Sequence, residues 1–296
     1  MRIVITRQAR RVGVAGIVVA VALLPRAIGA SEGSRPPQFR EPDIRFAPIQ
    51  AHRNPDGTLA QGSPFRFLSE NWSGYIVYSR QAGERYASVE ASWTIPSVTY
   101  RPGFSLEVSA IWVGIGGMCA SRQCDQKDST LIQLVTVQKA AAAGITYKAK
   151  YQMIPNPPGD IPIPIKPGDR ITATVACVAR CASDQQSWAL SMTNDTTGAA
   201  WGPYTFDYRS SELSAEWIVE APSSSGGVMP LADFDMATLG PQFGANGHIP
   251  SLTPAVNGIA MRNPYGQWAS PSAPDGRGFN VCWYGADPAG GACPDP

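Results

Sequence analysis

Histidine is nearly absent from this chain: His52 and His248 are its two copies among 296 residues. That scarcity removes most familiar hydrolytic chemistries. There is no H-E-x-x-H pair to hold a catalytic zinc, and no G-x-S-x-G elbow to set a serine against a histidine base. A Ser-His-Asp arrangement would depend on His248, and no motif surrounds it. A glycine-rich phosphate cradle between a strand and a helix is missing too. So is a sustained helical period; Lys139 to Ala143 is the one helix-friendly run, and it is short. Beyond residue 24 no apolar run is long enough to span a bilayer. Residues 70–296 carry 14 basic and 19 acidic residues, a net of −5 with no basic stripe, which argues against nucleic acid as a partner.

What is present begins with an export signal. Arg2, Arg7, Arg10 and Arg11 precede the apolar run Val12 to Leu24, and the small residues of Ala27-Ile28-Gly29-Ala30 follow. This pattern predicts a signal peptide over 1–30, cleaved near Ala30, and a secreted (extracellular or periplasmic) product with no membrane partner after its removal. Residues 31–69 are rich in Pro, Arg and Gln, hold five arginines against four acids, and show no period. They read as a largely irregular pro-segment or linker that rests on the acidic body. Residues 70–296 are enough for one large β domain, expected to be a monomer. Six cysteines fall as three close pairs, Cys119/Cys124, Cys177/Cys181 and Cys282/Cys293. In an exported chain these predict local disulfides, although other connectivities stay formally open. Zinc competes for such pairs, but neither histidine lies near one, so no metal site is expected.

From Asn71 onward the pattern is β. Ala87, Val89, Ala91, Trp93 and Ile95 alternate with polar residues, and a strand over Thr130 to Gln138 places Leu131, Gln133, Val135 and Val137 on one face. Similar strands are predicted over 72–79, 106–115, 145–154, 170–178, 187–193, 204–208, 215–220, 231–239, 255–262 and 279–284. Turn chemistry separates them, as in Pro157-Pro158-Gly159-Asp160 and Asn194-Asp195-Thr196-Thr197-Gly198. About a dozen strands with tight turns imply an all-β sandwich of two packed antiparallel sheets.

One stretch carries chemistry. In Leu213 to Pro222, Glu216, Ile218 and Glu220 share one strand face, while Trp217 and Val219 share the other. A carboxyl set among apolar neighbours is pushed toward its neutral form and suits general acid/base work. Glu216 and Glu220 lie about 13 Å apart along a strand, too far for a glycosidase pair. A partner for Glu216 must come from another strand. A glycosidase, a sugar-binding sandwich and an acid protease remain open at this point.

The ordered set of short motifs narrows the choice. Ser214-Ala215-Glu216-Trp217-Ile218-Val219-Glu220-Ala221-Pro222, followed by Pro230-Leu231-Ala232-Asp233-Phe234, closely resembles the glutamic peptidases, or eqolisins. Asn71-Trp72-Ser73-Gly74, Trp93-Thr94-Ile95-Pro96-Ser97-Val98, Ile111-Trp112-Val113-Gly114-Ile115 and Thr130-Leu131-Ile132-Gln133 resemble further motifs of that family in order and spacing. The resemblance implies two curved sheets of concanavalin-A-like (lectin-like) architecture with a cleft on the concave face. It also implies a catalytic pair, Glu216 and Gln133, that activates water without a covalent intermediate, metal or cofactor. Polypeptide substrates follow from the same likeness, and a carboxylate base places activity on the acidic side. The charge balance between residues 31–69 and the acidic body predicts a zymogen held by its own inhibitory or chaperoning pro-segment. Trp72, Trp112, Tyr151 and Gln152 become candidate substrate-binding residues, and Glu220 a structural one. Two positions depart from the family pattern: its aspartate in W-V-G-I-D-G is Gly116, and its glutamate in W-Y-E-x-x-P is Gln152. These departures support the alternative of a weak or inactive relative that binds peptide or carbohydrate in the same cleft.

Overall fold

Alternating strands with few helix formers leave β pairing as the main way to satisfy the backbone. A computed structural model describes residues 43–118, 127–287 and 292–296. The predicted signal peptide, residues 31–42 and the Cys119/Cys124 pair lie outside the described residues. In chain order the strands are β1 (Phe67–Ser69), β2 (Trp72–Tyr78), β3 (Ser88–Thr94), β4 (Leu106–Gly116), β5 (Leu131–Ala141) and β6 (Gly144–Met153). They continue with β7 (Gly159–Ile161), β8 (Arg170–Ala179), β9 (Ser187–Asn194), β10 (Ala199–Asp207), β11 (Ser214–Glu220), β12 (Ser223–Ser224) and β13 (Gly227–Val228). After β14 (Met236–Ala245) comes one helical turn, α1 (Pro254–Asn257), and then β15 (Gly258–Arg262), β16 (Trp268–Pro271) and β17 (Phe279–Gly285).

The hydrogen-bonded path runs β10-β9-β8-β3-β14-β17-β16-β15-β2-β11-β4-β5-β6-β7. It is antiparallel along this path, with β1 added in parallel to β15. The path folds back on itself, so β3 and β8 of one layer pack over β4 and β5 of the other. The predicted all-β sandwich is therefore the observed architecture, its two layers joined at one edge through β15–β17. Between the layers lies the main core, including Trp93, Trp188, Leu190, Ile111, Val113, Leu134 and Trp217. A second apolar cluster covers the other face of β2, β11, β4 and β5, with Trp72, Ile76, Trp112, Val135 and Ile218 among its members. Because these four strands are buried on both faces, their sequences read as nearly continuous apolar runs.

Three element predictions need correction. Residues 231–235 are not strand, although Leu231, Ala232 and Phe234 are buried. The side chain of Gln267 holds Leu231 in a loop, accepting its N–H at 2.7 Å and donating to its carbonyl at 3.0 Å. β14 starts only at Met236. Lys139 to Ala141 extend β5, because β4 and β6 satisfy their backbone on both sides. Residues 255–257 belong to α1, so β15 begins at Gly258 rather than Ala255. Two of the predicted disulfides form: Cys177–Cys181, and Cys282–Cys293, which fastens the C-terminal tail to β17.

Candidate active site

Antiparallel pairing puts directly opposed residues on the same face of the sheet. Glu216 on β11 opposes Gly114 on β4, Gly114 opposes Gln133 on β5, and Gln133 opposes Gln152 on β6. The four residues form one row across four strands. Two strand spacings separate Glu216 from Gln133, about 10 Å between Cα atoms. The residue between them has no side chain. A Cβ on Gly114 would lie 2.8 Å from the Ile132 carbonyl oxygen and 3.1 Å from Gln133 Cβ. Glycine thus lets the strands close up and keeps the space between the two functional side chains free of a third.

Both side chains are wholly buried. Neither Glu216 carboxylate oxygen, and neither polar atom of the Gln133 amide, has a hydrogen-bond partner among the described residues. Buried polar groups are nearly always paired, so four unpartnered atoms in one row point to a shared polar ligand. Burial pushes the Glu216 carboxyl well above the usual carboxylate range. The Ser214 hydroxyl, close by but out of hydrogen-bonding geometry, offsets part of this, and the negative charge of Asp128 adds to it.

Glu220 makes the contrast. It is equally buried on the same strand face, and burial pushes its carboxyl up as well. Its Oε1 accepts the Ala47 N–H at 3.0 Å, and its Oε2 accepts the Trp112 indole N–H at 2.9 Å. Its partners are fixed, as suits a structural residue.

Trp72 and Trp112 pack edge to face at 4.8 Å on the sheet face that carries Glu220. Gln152 lies on the same face and accepts the Phe46 N–H at 3.3 Å. Tyr151 does not join them. It opposes Leu134, so its ring lies on the opposite face of β6, stacked on Trp201 at 5.3 Å and beside Phe206. The one-residue step from Gln152 to Tyr151 turns the side chain away from the pair.

Sequence reading missed two features. The first is a strap, residues 43–50, laid over this face of the sheet. Ile44, Phe46 and Ile49 are buried in its apolar cluster. Besides the bonds to Gln152 and Glu220, Trp72 donates to the Ala47 carbonyl at 3.0 Å, Asn71 Oδ1 accepts the Gln50 N–H at 2.7 Å, and Ile49 N–H bonds Gly117 O at 3.1 Å. Through Gln152 the strap touches one end of the Glu216–Gly114–Gln133–Gln152 row, and through Glu220 and Gly117 the strands that carry it. The I-x-F-x-x-I spacing of its apolar residues was the available signal. The second is Asp128, a buried carboxylate just before β5. Its D-x-T spacing is that of a side chain capping its own turn: Asp128 Oδ1 accepts the Thr130 N–H and hydroxyl, both at 2.8 Å.

The sequence model of the Peptidase A4 family matches residues 70–242, more than half of the chain. The chain belongs to the Peptidase A4 family. The matched span contains the whole Glu216–Gly114–Gln133–Gln152 row; the strap and β15–β17 fall outside it. Among curated Peptidase A4 relatives, Aspergillopepsin-2 of Aspergillus niger is 27% identical over 192 residues, covering 57% of this chain and 62% of that protein. The chain thus spans less than two thirds of that relative's length. The crystal structure of scytalido-glutamic peptidase with a peptide-based transition-state analogue is similar in fold, with a TM-score of 0.50 and 23% identity over 73% of this chain and 98% of that one. Aspergilloglutamic peptidase from Aspergillus niger gives 0.42 and 21% over 60% and 99%.

Proposed function

We propose that this Peptidase A4 protein is an exported acid endopeptidase whose Glu216 and Gln133 activate a water molecule between them. The observation that carries this reading is the row itself: two buried, unpartnered polar side chains flank a glycine. Ionised Glu216 takes a proton from the water as it attacks the scissile carbonyl. Burial makes that carboxylate a stronger base than a solvated one. Gln133 cannot titrate, and its NH₂ donates to the oxygen on which negative charge develops. Protonated Glu216 then returns the proton to the leaving amine. No bond forms between protein and substrate.

A polypeptide substrate is favoured over carbohydrate by the strap, because this face already grips a peptide backbone. Gln152, Glu220 and Asn71 accept three of its N–H groups, and Trp72 donates to one of its carbonyls. We read residues 31–69 as a pro-segment whose strap keeps substrate from the pair.

The test incubates the secreted full chain with a denatured protein between about pH 2 and 6, before and after acid treatment, beside Glu216→Gln. The parent is expected to cleave and the variant to be inert. A parent inactive at every pH, or a folded Glu216→Gln with parental activity, overturns the assignment.

A further inference from the structure

Gly116 lies two residues along β4 from Gly114, at the end of the strand that separates the pair. Its φ of +89° suits glycine, and it has no side chain to offer. The space a side chain would take is filled from elsewhere. An ideal Cβ on Gly116 would lie 2.7 Å from the Thr130 carbonyl oxygen, 3.0 Å from the Thr130 hydroxyl and 3.1 Å from Asp128 Oδ2, so Asp128 brings a carboxylate against this position. The Asp128 side chain is buried and held there from two directions. Thr130, one residue before β5, donates to Oδ1 through both its N–H and its hydroxyl at 2.8 Å. The Ser211 hydroxyl, three residues before β11, donates to Oδ2. Ser211 N–H in turn bonds the Thr130 hydroxyl at 3.1 Å. One carboxylate therefore joins the entries of the two strands that carry Gln133 and Glu216.

We propose that Asp128 is a positioning residue of the pair: its carboxylate stands in for a side chain at Gly116, ties β5 to β11, and holds negative charge against Glu216. This rests on Glu216 being the base. The other groups around Glu216 do not supply such a charge. β4 and β5 bring Gly114 and Gln133, which do not titrate. β2 brings Tyr78, on the row of Ser214, and Tyr86 from the β2–β3 connection lies within reach of the Glu216 charge. Burial raises the Tyr86 phenol far above the acid range, so it stays neutral there. Glu220 lies about 13 Å along the strand. Asp128 is the acidic group whose charge acts on Glu216. Like charge disfavours ionisation, so Asp128 strengthens Glu216 as a base and raises the pH at which it becomes one.

The experiment measures peptide cleavage against pH for the secreted full chain, Asp128→Asn, Ser211→Ala and Glu216→Gln, with near-UV circular dichroism to report folding. Asp128→Asn keeps the shape and removes the charge. Its acid limb is expected to move about one pH unit lower, and its plateau rate to fall. Ser211→Ala removes one of the groups that hold the Asp128 carboxylate in place, so its limb moves the same way by less. A purely structural role would lower the rate and leave the limb in place. Folded variants with the parental limb overturn the proposal, and Ser211→Ala decides alone if Asp128→Asn does not fold. Retained activity in Glu216→Gln instead overturns the assignment of the base.

Discussion

Glu216 and Glu220 are the same residue type, on the same face of the same strand, equally buried, and differ in what their oxygens touch. Glu220 is saturated by Ala47 and Trp112, whereas Glu216 has no partner among the described residues. Gln133 should show the complementary half of the chemistry. Gln133→Ala removes a donor to the developing oxyanion and is expected to lower kcat by about 10²–10³-fold. Gln133→Glu places a second carboxyl across Gly114, and two such groups tend to share one proton. Its pH–rate profile should shift from that of the parent; a parental profile and rate would show that residue 133 is not part of the reacting pair. The two names were legible in short motifs, but their row was not, since strand pairing joins residues 83 positions apart. Asp128 was illegible for the same reason: nothing local to Gly116 shows that a carboxylate twelve residues on will fill its side-chain space.

At the scale of elements, the strands were legible because period-2 alternation and turn residues are local signals. The strap was not. Its composition suits an irregular segment, and it is one, yet three apolar side chains bury in the second apolar cluster. The charge balance of the sequence pointed to arginine-to-acid attraction, but Arg45 pairs with Asp43 inside the strap. What holds it is apolar contact and backbone hydrogen bonding. Each buried side chain contributes roughly 2 kcal/mol, and ordering the eight residues costs roughly 1 kcal/mol apiece. The balance lies near zero, so one polar substitution should free the cleft. Phe46→Asp in the full chain is expected to cleave peptide faster than the unprocessed parent at the same pH. N-terminal sequencing of active secreted parent should find a start between Phe65 and Asn71. A Phe46→Asp variant no faster than the unprocessed parent would remove the strap from any account of inhibition.

The molecule as a whole carries three carboxyls whose folded pKa values burial has raised, Glu212, Glu216 and Glu220. Stability from such groups is fully present below the unfolded value, about 4.3, and is lost as pH rises through the folded one. Asp56, Asp160 and Asp275 are shifted the other way, chiefly by hydrogen bonds, and their contribution is lost only at lower pH. Above about pH 4.5 these three glutamates set the slope. Thermal unfolding of the full chain, followed by circular dichroism, should show a midpoint that falls as pH rises from there, less steeply in Glu216→Gln. A midpoint that climbs over that range, or an identical slope in the variant, would contradict burial as the dominant influence on these groups.

The strap is also part of the chain it covers. Being tethered, it meets the cleft at an effective concentration set by the chain between residues 50 and 70, which is itself anchored to the body through the pairing of β1 with β15. A balance near zero is enough under those terms. One cut in that stretch leaves every contact in place but turns a unimolecular closure into an encounter between two molecules. In a large volume the freed peptide is lost by dilution, and the opening becomes one-way without any change in the cleft itself.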